Sequence, residues 1–485
     1  MFAILSDKKK WIYTISFVFI AVNALAIAFE VYWVSLIPFI FFVAFLAIFS
    51  LDKLVWIAVF FTPLSITIKD IGFGLGISLP TEPLLFAILA TCILKFLYEG
   101  KFNSNILSHS ITTAIIVNII WMVITTITSQ MPFVSLKFVI ARIWFLNSFF
   151  AIPMLLFIKF SNIHKYVWLY LIAFIGVICY IITNHAMNGF SEQSAHWVTY
   201  PFYKDHTSYG AVLAMFIPFI VYFIWYSKNN RFIQFISIII LIIFIVALIL
   251  SYTRAAWMSL VVAFCVYIIL SFKIRIRTII AGSAILIGLF FAFQTQIYMA
   301  LEQNKQDSSS DIKEHIKSIS NIKSDASNLE RINRWKSAIR MFKERPIWGW
   351  GPGTYMFQYA PYQLSSEKTV ISTNAGNKGN AHSEYIGPLA EGGVLGCLSF
   401  ILIVCCVSAT AIKIIYTSKD KNIQMLTMSV YLGLITYFIH GLFNNFLDTD
   451  KASAPFWGFV AIITAIDLYH LKKTEVNILE ETTTK

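Results

Sequence analysis

One histidine in the last quarter of the chain has the setting of a catalytic base. His382 closes a long polar stretch and directly precedes an apolar segment that is long enough to cross a membrane. The small polar residues before it, Gly379 and Asn380, let the backbone approach a bulky ligand closely. A helix start at Ser383 favours a nearby anion. With an unperturbed pKa of about 6.5, a histidine here is mostly neutral near pH 7 and suited to removing a proton. The competing interpretation is a loop histidine that only caps the helix.

Four arginines form a second group with chemical potential. Arg142 and Arg254 are predicted to lie at the outer ends of apolar segments, and Arg331 and Arg334 lie in a basic part of the long loop. A guanidinium binds phosphate through paired hydrogen bonds and keeps its charge. Arg142 and Arg254 could instead anchor helices at lipid headgroups. A ligand role gains support only where several of them converge.

Other polar residues, among them Asn380 before His382, are weaker candidates for substrate binding. Two interpretations apply to Lys204, Asp205 and His206. They bind sugar hydroxyls or a phosphate, or they belong to a belt of residues at the membrane interface. Three interpretations apply to Glu384 and Glu391. They orient His382, they close the predicted outer loop, or they compensate the helix dipole. His440 is predicted to be a buried hydrogen-bonding residue near the cavity.

No metal site is predicted. The six cysteines all lie in apolar segments and are interpreted as small buried hydrophobic residues, without a disulfide framework or a ligand cluster. Asp448 and Asp450 are the nearest approach to an acidic metal-binding pair, and they are predicted to lie on the far side of the last spans. No cofactor and no nucleic-acid partner are expected.

The composition requires a membrane to position these residues. Hydrophobic residues make up 58% of the 485 residues and charged ones only 13%, about half the charged fraction of a soluble domain. Apolar stretches of roughly 17 to 25 residues recur along the chain, and this length suits helices that cross about 30 Å of hydrocarbon. The sequence therefore predicts an all-α polytopic membrane protein with about 14 spans by length, among them 54–68, 143–159 and 278–296, with 12 as the alternative count.

Basic residues set the predicted orientation. If the N-terminus is cytoplasmic, most lysines and arginines fall in the inside turns, as the positive-inside rule requires. Both termini are then cytoplasmic. The predicted division is a bundle of about 11 spans at 1–296, an outer loop at 297–382, C-terminal spans at 383–472 and a cytoplasmic tail at 473–485.

The outer loop contains a predicted basic amphipathic helix. Ile332, Trp335, Ile339 and Phe342 recur at spacings of three and four and form one apolar stripe, while lysines and arginines fill the other faces. Such a helix lies on a membrane surface. Pro346 ends it, and the glycines and tryptophans of IWGWGPGTY predict a tight turn at the headgroups.

Three ordered motifs resemble the O-antigen ligase and polymerase superfamily. They are SYTRAAW, the segment from Arg331 to Trp335 that leads to RPIWGWGPGTY, and NAHSEYIGPLAEGGVLG, within roughly residues 200–450. The resemblance implies a GT-C-like, metal-independent, inverting glycosyltransferase of the bacterial inner membrane, with its active site facing the periplasm. Its donor is then a glycan on polyprenyl (undecaprenyl) diphosphate. His382 is the implied general base, Arg254 and Arg331 the implied ligands of the diphosphate, and Arg142 and Arg334 further candidates.

The acceptor stays open at this point. Lipid A-core is favoured narrowly, because a long outer loop with a basic helix could cover a large phosphorylated acceptor. The alternatives are a second lipid-linked glycan, as in a polymerase, and a protein serine or threonine, as in an O-oligosaccharyltransferase. Outside this class, a lipid or polysaccharide transporter predicts ionisable residues at the bilayer midplane and internal repeats; the sequence shows the charges at one face and no repeat.

Overall fold

The computed structural model describes residues 2–68, 77–100, 104–274, 326–369, 372 and 379–471. Within these residues, 12 helices are long and apolar enough to cross a membrane. This confirms the all-α polytopic class, and the count of 12 holds for the described residues alone. The predicted span 278–296 and most of the loop before the basic helix fall outside the described residues.

The long helices are named in chain order. They are α1 (Phe2–Ala28), α2 (Ile37–Phe49), α3 (Leu51–Phe61), α4 (Thr81–Glu99), α5 (Ser110–Ile127), α6 (Pro132–Leu146), α7 (Ser161–Met187), α8 (His206–Tyr226), α9 (Arg231–Leu250), α10 (Arg254–Ser271), α11 (Ala326–Glu344), α12 (Ile386–Thr417), α13 (Lys421–His440) and α14 (Asp450–Ala465). Strands β1 (Ile66–Ile68) and β2 (Ile77–Leu79) form an antiparallel pair. Short helical turns occur at Tyr32–Leu36, Ser104–Leu107, Asn147–Ala151, Ile152–Leu156, Glu192–Ala195, Tyr355–Gln358, Ala360–Tyr362, Ser365–Glu367 and Ile466–His470.

The predicted span 54–68 is wrong. Helix α3 has only 11 residues, which extend about 16 Å and fall short of a hydrocarbon core of about 30 Å. The helix ends before Pro63, whose ring cannot continue it. The β-branched sequence that follows forms β1, with Ile66 opposite Leu79. Apolar content alone therefore predicted a span where local backbone chemistry produces a short helix and a hairpin.

The prediction that Arg142 lies at the outer end of a span is also wrong. The predicted span 143–159 is part of a longer one, Pro132–Leu156, which has 25 residues. Proline suits the first turn of a helix, because its missing N–H is not needed there. Pro132 therefore moves the start of the span back, and Arg142 lies near its middle.

The last two spans form the centre of the bundle. In the most apolar stretch of each span, 78% of the residues of α13 and 83% of those in the span Asp450–His470 are buried. In the corresponding stretch of the first span, no residue is buried. The cysteine prediction is correct only in part. All six are free, but Cys179, Cys265 and Cys405 are exposed, because the outward faces of spans remain apolar.

The basic helix α11 buries a different face from the predicted one. Ile339 of the apolar stripe is exposed, whereas Asn333, Arg334, Ala338 and Met341 are buried. The buried polar side chains have partners: the Asn333 amide donates to Gln363 Oε1 at 2.8 Å. Since satisfied polar groups are tolerated inside, α11 packs against the protein through this face rather than through its apolar stripe.

Candidate active site

Hydrogen bonds hold the backbone of His382 in a particular conformation. The residue has a φ of 48°, in the left-handed backbone region that few residues other than glycine adopt. The side-chain oxygen of Asn380 accepts a hydrogen bond from the His382 amide at 3.1 Å, and Trp335 Nε1 donates to the His382 carbonyl at 3.3 Å. Trp335 belongs to α11, so this helix fixes the histidine. Asn380, a predicted substrate-binding residue, has this positioning contact.

The His382 side chain is surrounded by polar and charged groups. Burial, reinforced by the nearby guanidinium groups of Arg331 and Arg334, lowers its pKa to about 4. Asp205 and a hydrogen bond with Asn444 act in the opposite direction. His382 is therefore neutral at pH 7, and a neutral imidazole can accept a proton.

Behind His382 lies a second histidine. Asn444 Nδ2 is 3.1 Å from His440 Nε2, and His440 is only 1% exposed. As predicted, His440 is a buried hydrogen-bonding residue. Asn444 links the two histidines, and sequence reasoning missed it, because Asn444 lies in the loop that follows the end of α13 at His440.

The two loop arginines have different environments. Arg334 is buried, pairs through Nε with Glu330 Oε1 at 2.6 Å, and lies 4.3 Å from the centroid of the Tyr359 ring. A Cβ at Gly379 would lie 1.1 Å from its Nη1, so a side chain there would displace the Arg334 guanidinium. Arg331 is half-buried and lies near His382. Arg334 therefore supports the loop, and both arginines are near enough to His382 for their charges to lower its pKa.

Arg254 begins α10 beside the start of α8. The hydroxyl of the preceding residue, Thr253, donates to the His206 carbonyl at 3.2 Å. A Cβ at Gly210 would lie 2.6 Å from that hydroxyl oxygen, so a glycine allows the two helix starts to meet. The segment that carries Arg254 is thus joined to the segment that carries Asp205, which in turn lies near His382.

The Lys204 to His206 segment is a helix start. Asp205 is the N-cap of α8: its carboxylate accepts from the Thr207 amide at 3.0 Å and pairs with His206 Nδ1 at 3.1 Å. Burial opposes the charge, but the hydrogen bonds from His206 and Thr207 hold the pKa of Asp205 well below its usual range. Lys204 is exposed and near Asp448.

Glu384 fixes the loop at residues 441–449. Its Oε1 accepts hydrogen bonds from the Tyr437 hydroxyl at 2.7 Å and from the amides of Phe446 and Leu447, each at 2.9 Å. Burial raises the pKa of Glu384, while the Arg142 charge acts to lower it. Of the alternatives for Glu384, the contacts match loop closure.

The prediction that Asp448 and Asp450 lie on the far side is wrong for Asp448. Burial raises the pKa of Asp448, and Arg142 and Lys204 are the charges that act to lower it. Because Glu384 holds the amides of residues 446 and 447, Asp448 is drawn to the same side as His382. Asp450 is buried and accepts a hydrogen bond from the Ser65 hydroxyl at 2.6 Å.

Glu391 holds the turn at residues 346–355. Its side chain accepts from the Tyr355 amide at 3.0 Å, and its carbonyl accepts from the Gly351 amide at 2.8 Å. Gly349, Gly351 and Gly353 all have positive φ, so the predicted tight turn is present. The turn packs into a break in α12 at Gly393, where φ is 67° and ψ is −165°.

Arg142 lies in a separate cavity. Its guanidinium carbon is 5.5 Å from the centroid of the Phe138 ring, and both residues line a cavity together with Glu384 and Glu391. The charges that act on His382 come from Arg331, Arg334 and Asp205. The candidate site therefore has two parts, one around His382 and one around Arg142. Among the described residues, no group of three or more His, Cys, Asp and Glu side chains could hold a metal ion.

Comparison with known proteins gives one family. Residues 239–401 match a family model described as O-antigen ligase. The match includes Arg254, Arg331, Arg334, His382 and the turn at 346–355, and it supports the resemblance derived from the motifs. No curated protein matches the chain.

Proposed function

We propose that this member of the O-antigen ligase superfamily is an inverting, metal-independent glycosyltransferase whose donor is a glycan on polyprenyl diphosphate. O-antigen ligase-type glycosyltransferase activity is the general conclusion from the family match. The observation that carries the finer proposal is a half-buried histidine, His382, which α11 holds through Trp335 at 3.3 Å and which lies near enough to Arg331 for that charge to lower its pKa.

His382 acts as the general base. Its neutral ring takes the proton of the acceptor hydroxyl while the hydroxyl oxygen attacks the anomeric carbon of the donor glycan. The bond from that carbon to the diphosphate oxygen breaks, and attack from the opposite face inverts the configuration. A positioned base contributes about 10²- to 10⁴-fold to the rate.

Arg254 and Arg331 bind the diphosphate. Negative charge grows on this leaving group as the glycosidic bond breaks, and fixed cations aimed at that charge stabilise the transition state. Arginine suits the role because its planar guanidinium binds phosphate through two hydrogen bonds and stays charged. Arg334, already paired with Glu330 at 2.6 Å, holds the loop and adds to the field.

Lipid A-core is the proposed acceptor, narrowly ahead of a second lipid-linked glycan. The basic helix α11 supports a phosphorylated acceptor, although Lys336 and Arg340 already pair with Glu367. Lys343 is exposed and available to a phosphate. A protein serine or threonine is the third acceptor class. All three use the same base and the same donor.

The site is proposed to face the periplasm from a bacterial inner membrane, with both termini cytoplasmic. The chain is a multi-pass membrane protein. The distribution of basic residues supports the orientation, since Lys419 lies in the short turn between α12 and α13 and Lys421 begins α13, on the predicted cytoplasmic side.

Transfer by the purified chain in lipid nanodiscs tests the proposal. The donor is a polyprenyl-diphosphate glycan, EDTA is present, and lipid A-core, a second lipid-linked repeat unit and an acceptor peptide are offered separately. Product on lipid A-core supports ligation, and a ladder on the donor lipid makes the chain a polymerase. Loss of all transfer on adding EDTA would overturn the metal-independent mechanism.

A further inference from the structure

Asn444 lies in a loop that is tied to the segment of His382 on both sides. The Glu384 amide donates to the Gly441 carbonyl at 2.8 Å, before Asn444 in the chain. The Glu384 carboxylate accepts from the Phe446 amide at 2.9 Å, after Asn444. Because Glu384 follows His382 closely in the sequence, these contacts hold the backbone of Asn444 in a fixed place beside the histidine.

The Asn444 side chain is enclosed with two histidines. It is 2% exposed, and its Nδ2 lies 3.1 Å from Nε2 of His440, which is 1% exposed. The same side chain forms a hydrogen bond with the His382 ring. One buried carboxamide therefore bridges the two imidazole rings, where little water competes for its hydrogen bonds.

The two ends of this carboxamide have different roles, because one donates and the other accepts. With Nδ2 toward His440, Oδ1 is the end that can accept from a ring N–H of His382. The bond acts to raise the pKa of His382, as expected where an oxygen stabilises the protonated ring. His440 then accepts at Nε2 and carries its proton on Nδ1, a buried atom without a hydrogen-bond partner in the described residues.

We propose that Asn444 is a positioning residue that fixes the tautomer of His382, with Oδ1 accepting from one ring N–H so that the other ring nitrogen keeps a free lone pair. A neutral imidazole has one donor and one acceptor nitrogen, and the free lone pair takes the proton of the acceptor hydroxyl. The Asn444 oxygen then holds the imidazolium that forms. His440 keeps the carboxamide from turning over, because its Nε2 accepts from Nδ2. The inference rests on the proposed role of His382 as the base.

The substitution Asn444→Leu removes the accepting oxygen and keeps a side chain of similar size. We expect kcat for transfer in nanodiscs to fall about ten- to a hundredfold, because a base in the wrong tautomer loses part of its contribution. The Kd for the donor is expected to stay unchanged. Asn445→Leu is the matched control, since Asn445 lies in the same loop, is half-buried and also has a side-chain oxygen without a partner in the described residues. We expect wild-type kcat from this control.

The substitution Asn444→Asp keeps an accepting oxygen and adds a negative charge beside the ring. We expect kcat within about tenfold of the wild-type value, and the acid limb of kcat/KM to move up by about one to two pH units, because a carboxylate stabilises the imidazolium. The other charges that act on His382, those of Arg331, Arg334 and Asp205, are the same in the variant and the wild type. Asn445→Asp, which places the same charge one residue further on, is expected to shift the limb less.

Modification by diethyl pyrocarbonate measures the protonation of His382 without transfer, because the reagent reacts only with an unprotonated ring. Peptide mass spectrometry of the purified protein across a pH series gives the midpoint of the reaction at His382. We expect the midpoint to rise by about one to two pH units in Asn444→Asp and by less in Asn445→Asp.

Three results would overturn the proposal: wild-type kcat in Asn444→Leu, equal losses of kcat in Asn444→Leu and Asn445→Leu, or an equal midpoint in Asn444→Asp and the wild type. If Asn444→Leu does not fold, the Asn444→Asp midpoint decides. If the wild-type protein glycosylates none of the acceptors, the proposed function fails, and the midpoint then tests the hydrogen bond by itself. A rise larger in Asn444→Asp than in Asn445→Asp supports the bond, and any other pattern overturns it.

Discussion

His382 owes its protonation state to its surroundings. Burial and the charges of Arg331 and Arg334 lower its pKa to about 4, so the proton is already absent well below neutral pH. The sequence predicted a neutral histidine from the ordinary pKa of about 6.5. It could not predict the size of the shift, because both arginines reach the histidine only through the packing of α11.

The pH dependence of the reaction follows from this shift. In the free protein, His382 gains a proton, and with it would lose the proposed capacity to act as a base, only as the pH falls through about 4. We therefore expect the acid limb of kcat/KM to lie below pH 5, and the limb of kcat to lie higher, because a bound diphosphate offsets the arginine charges. Initial rates across a pH series measure both limbs. An acid limb of kcat/KM at pH 6.5 or above would contradict the assignment of His382.

Arg331 and Arg334 are three residues apart, yet their substitution is expected to have different effects. Arg331→Lys keeps the charge but loses the paired hydrogen bonds, so we expect donor affinity to fall about tenfold with stability unchanged. Arg334→Met removes the charged partner of Glu330, which keeps its hydrogen bonds from Thr369 and Ser372, and lowers the free energy of unfolding by about 3 kcal/mol. Donor titration and thermal unfolding in nanodiscs separate the two. The same stability loss in both variants would show that Arg331 is also structural.

At the scale of elements, the site depends on a break in α12. Gly393 has φ and ψ values that only glycine adopts readily, and a Cβ there would lie 2.1 Å from the Ile347 carbonyl oxygen. The turn at 346–355 packs into this break, and Val394 donates to the Pro346 carbonyl at 2.9 Å. The sequence predicted the turn from its glycines and tryptophans. The partner of the turn was not predictable, because Gly393 lies within an otherwise regular apolar helix pattern.

Alanine at Gly393 is expected to displace the turn. The strained backbone and the overlap with Ile347 together cost more than about 2 kcal/mol, so Gly393→Ala should lower both the unfolding midpoint and the transfer rate. Gly387→Ala on the same helix is the matched control, since a Cβ there meets only Ala381 at 3.6 Å. Circular dichroism during heating measures the midpoint. Equal midpoints for the two variants would contradict this account of the break.

Helix α11 shows where periodicity misleads. The apolar stripe with Ile339 and Phe342 followed helical spacing, but the buried face contains Asn333 and Arg334. Polar residues can form a buried face when each finds a partner, and partners such as Gln363 come from a distant part of the loop. Their pairing is a tertiary property that spacing within the helix does not encode.

For the whole molecule, apolar run length predicted the all-α polytopic architecture, because the requirement to satisfy backbone groups in lipid leaves few alternatives. The predicted count of spans failed at 54–68, where α3 is too short. The burial of α13 and the last span as the centre of the bundle was not predictable, since their mean hydropathies of 1.3 and 1.4 are the lowest among the twelve spans in the described residues.

The orientation of the chain can be tested by labelling. Single cysteines at Lys343 and Lys419, both exposed positions, should react oppositely with a membrane-impermeant maleimide added to intact inner-membrane spheroplasts, provided that the six native cysteines are replaced. We expect Lys343→Cys to be labelled and Lys419→Cys to be protected until the membrane is opened. The reverse pattern would put α11 and His382 on the cytoplasmic side.

The rate of glycan transfer by a His382→Gln variant tests the central claim most directly. Glutamine keeps a polar side chain of similar length but cannot act as a base at neutral pH. At saturating donor and acceptor, we expect the rate to fall about 10²- to 10⁴-fold, while the Kd for the donor stays within about twofold, because the arginines are intact. A rate within a few-fold of the wild-type value would show that another group removes the proton and would contradict the proposed mechanism.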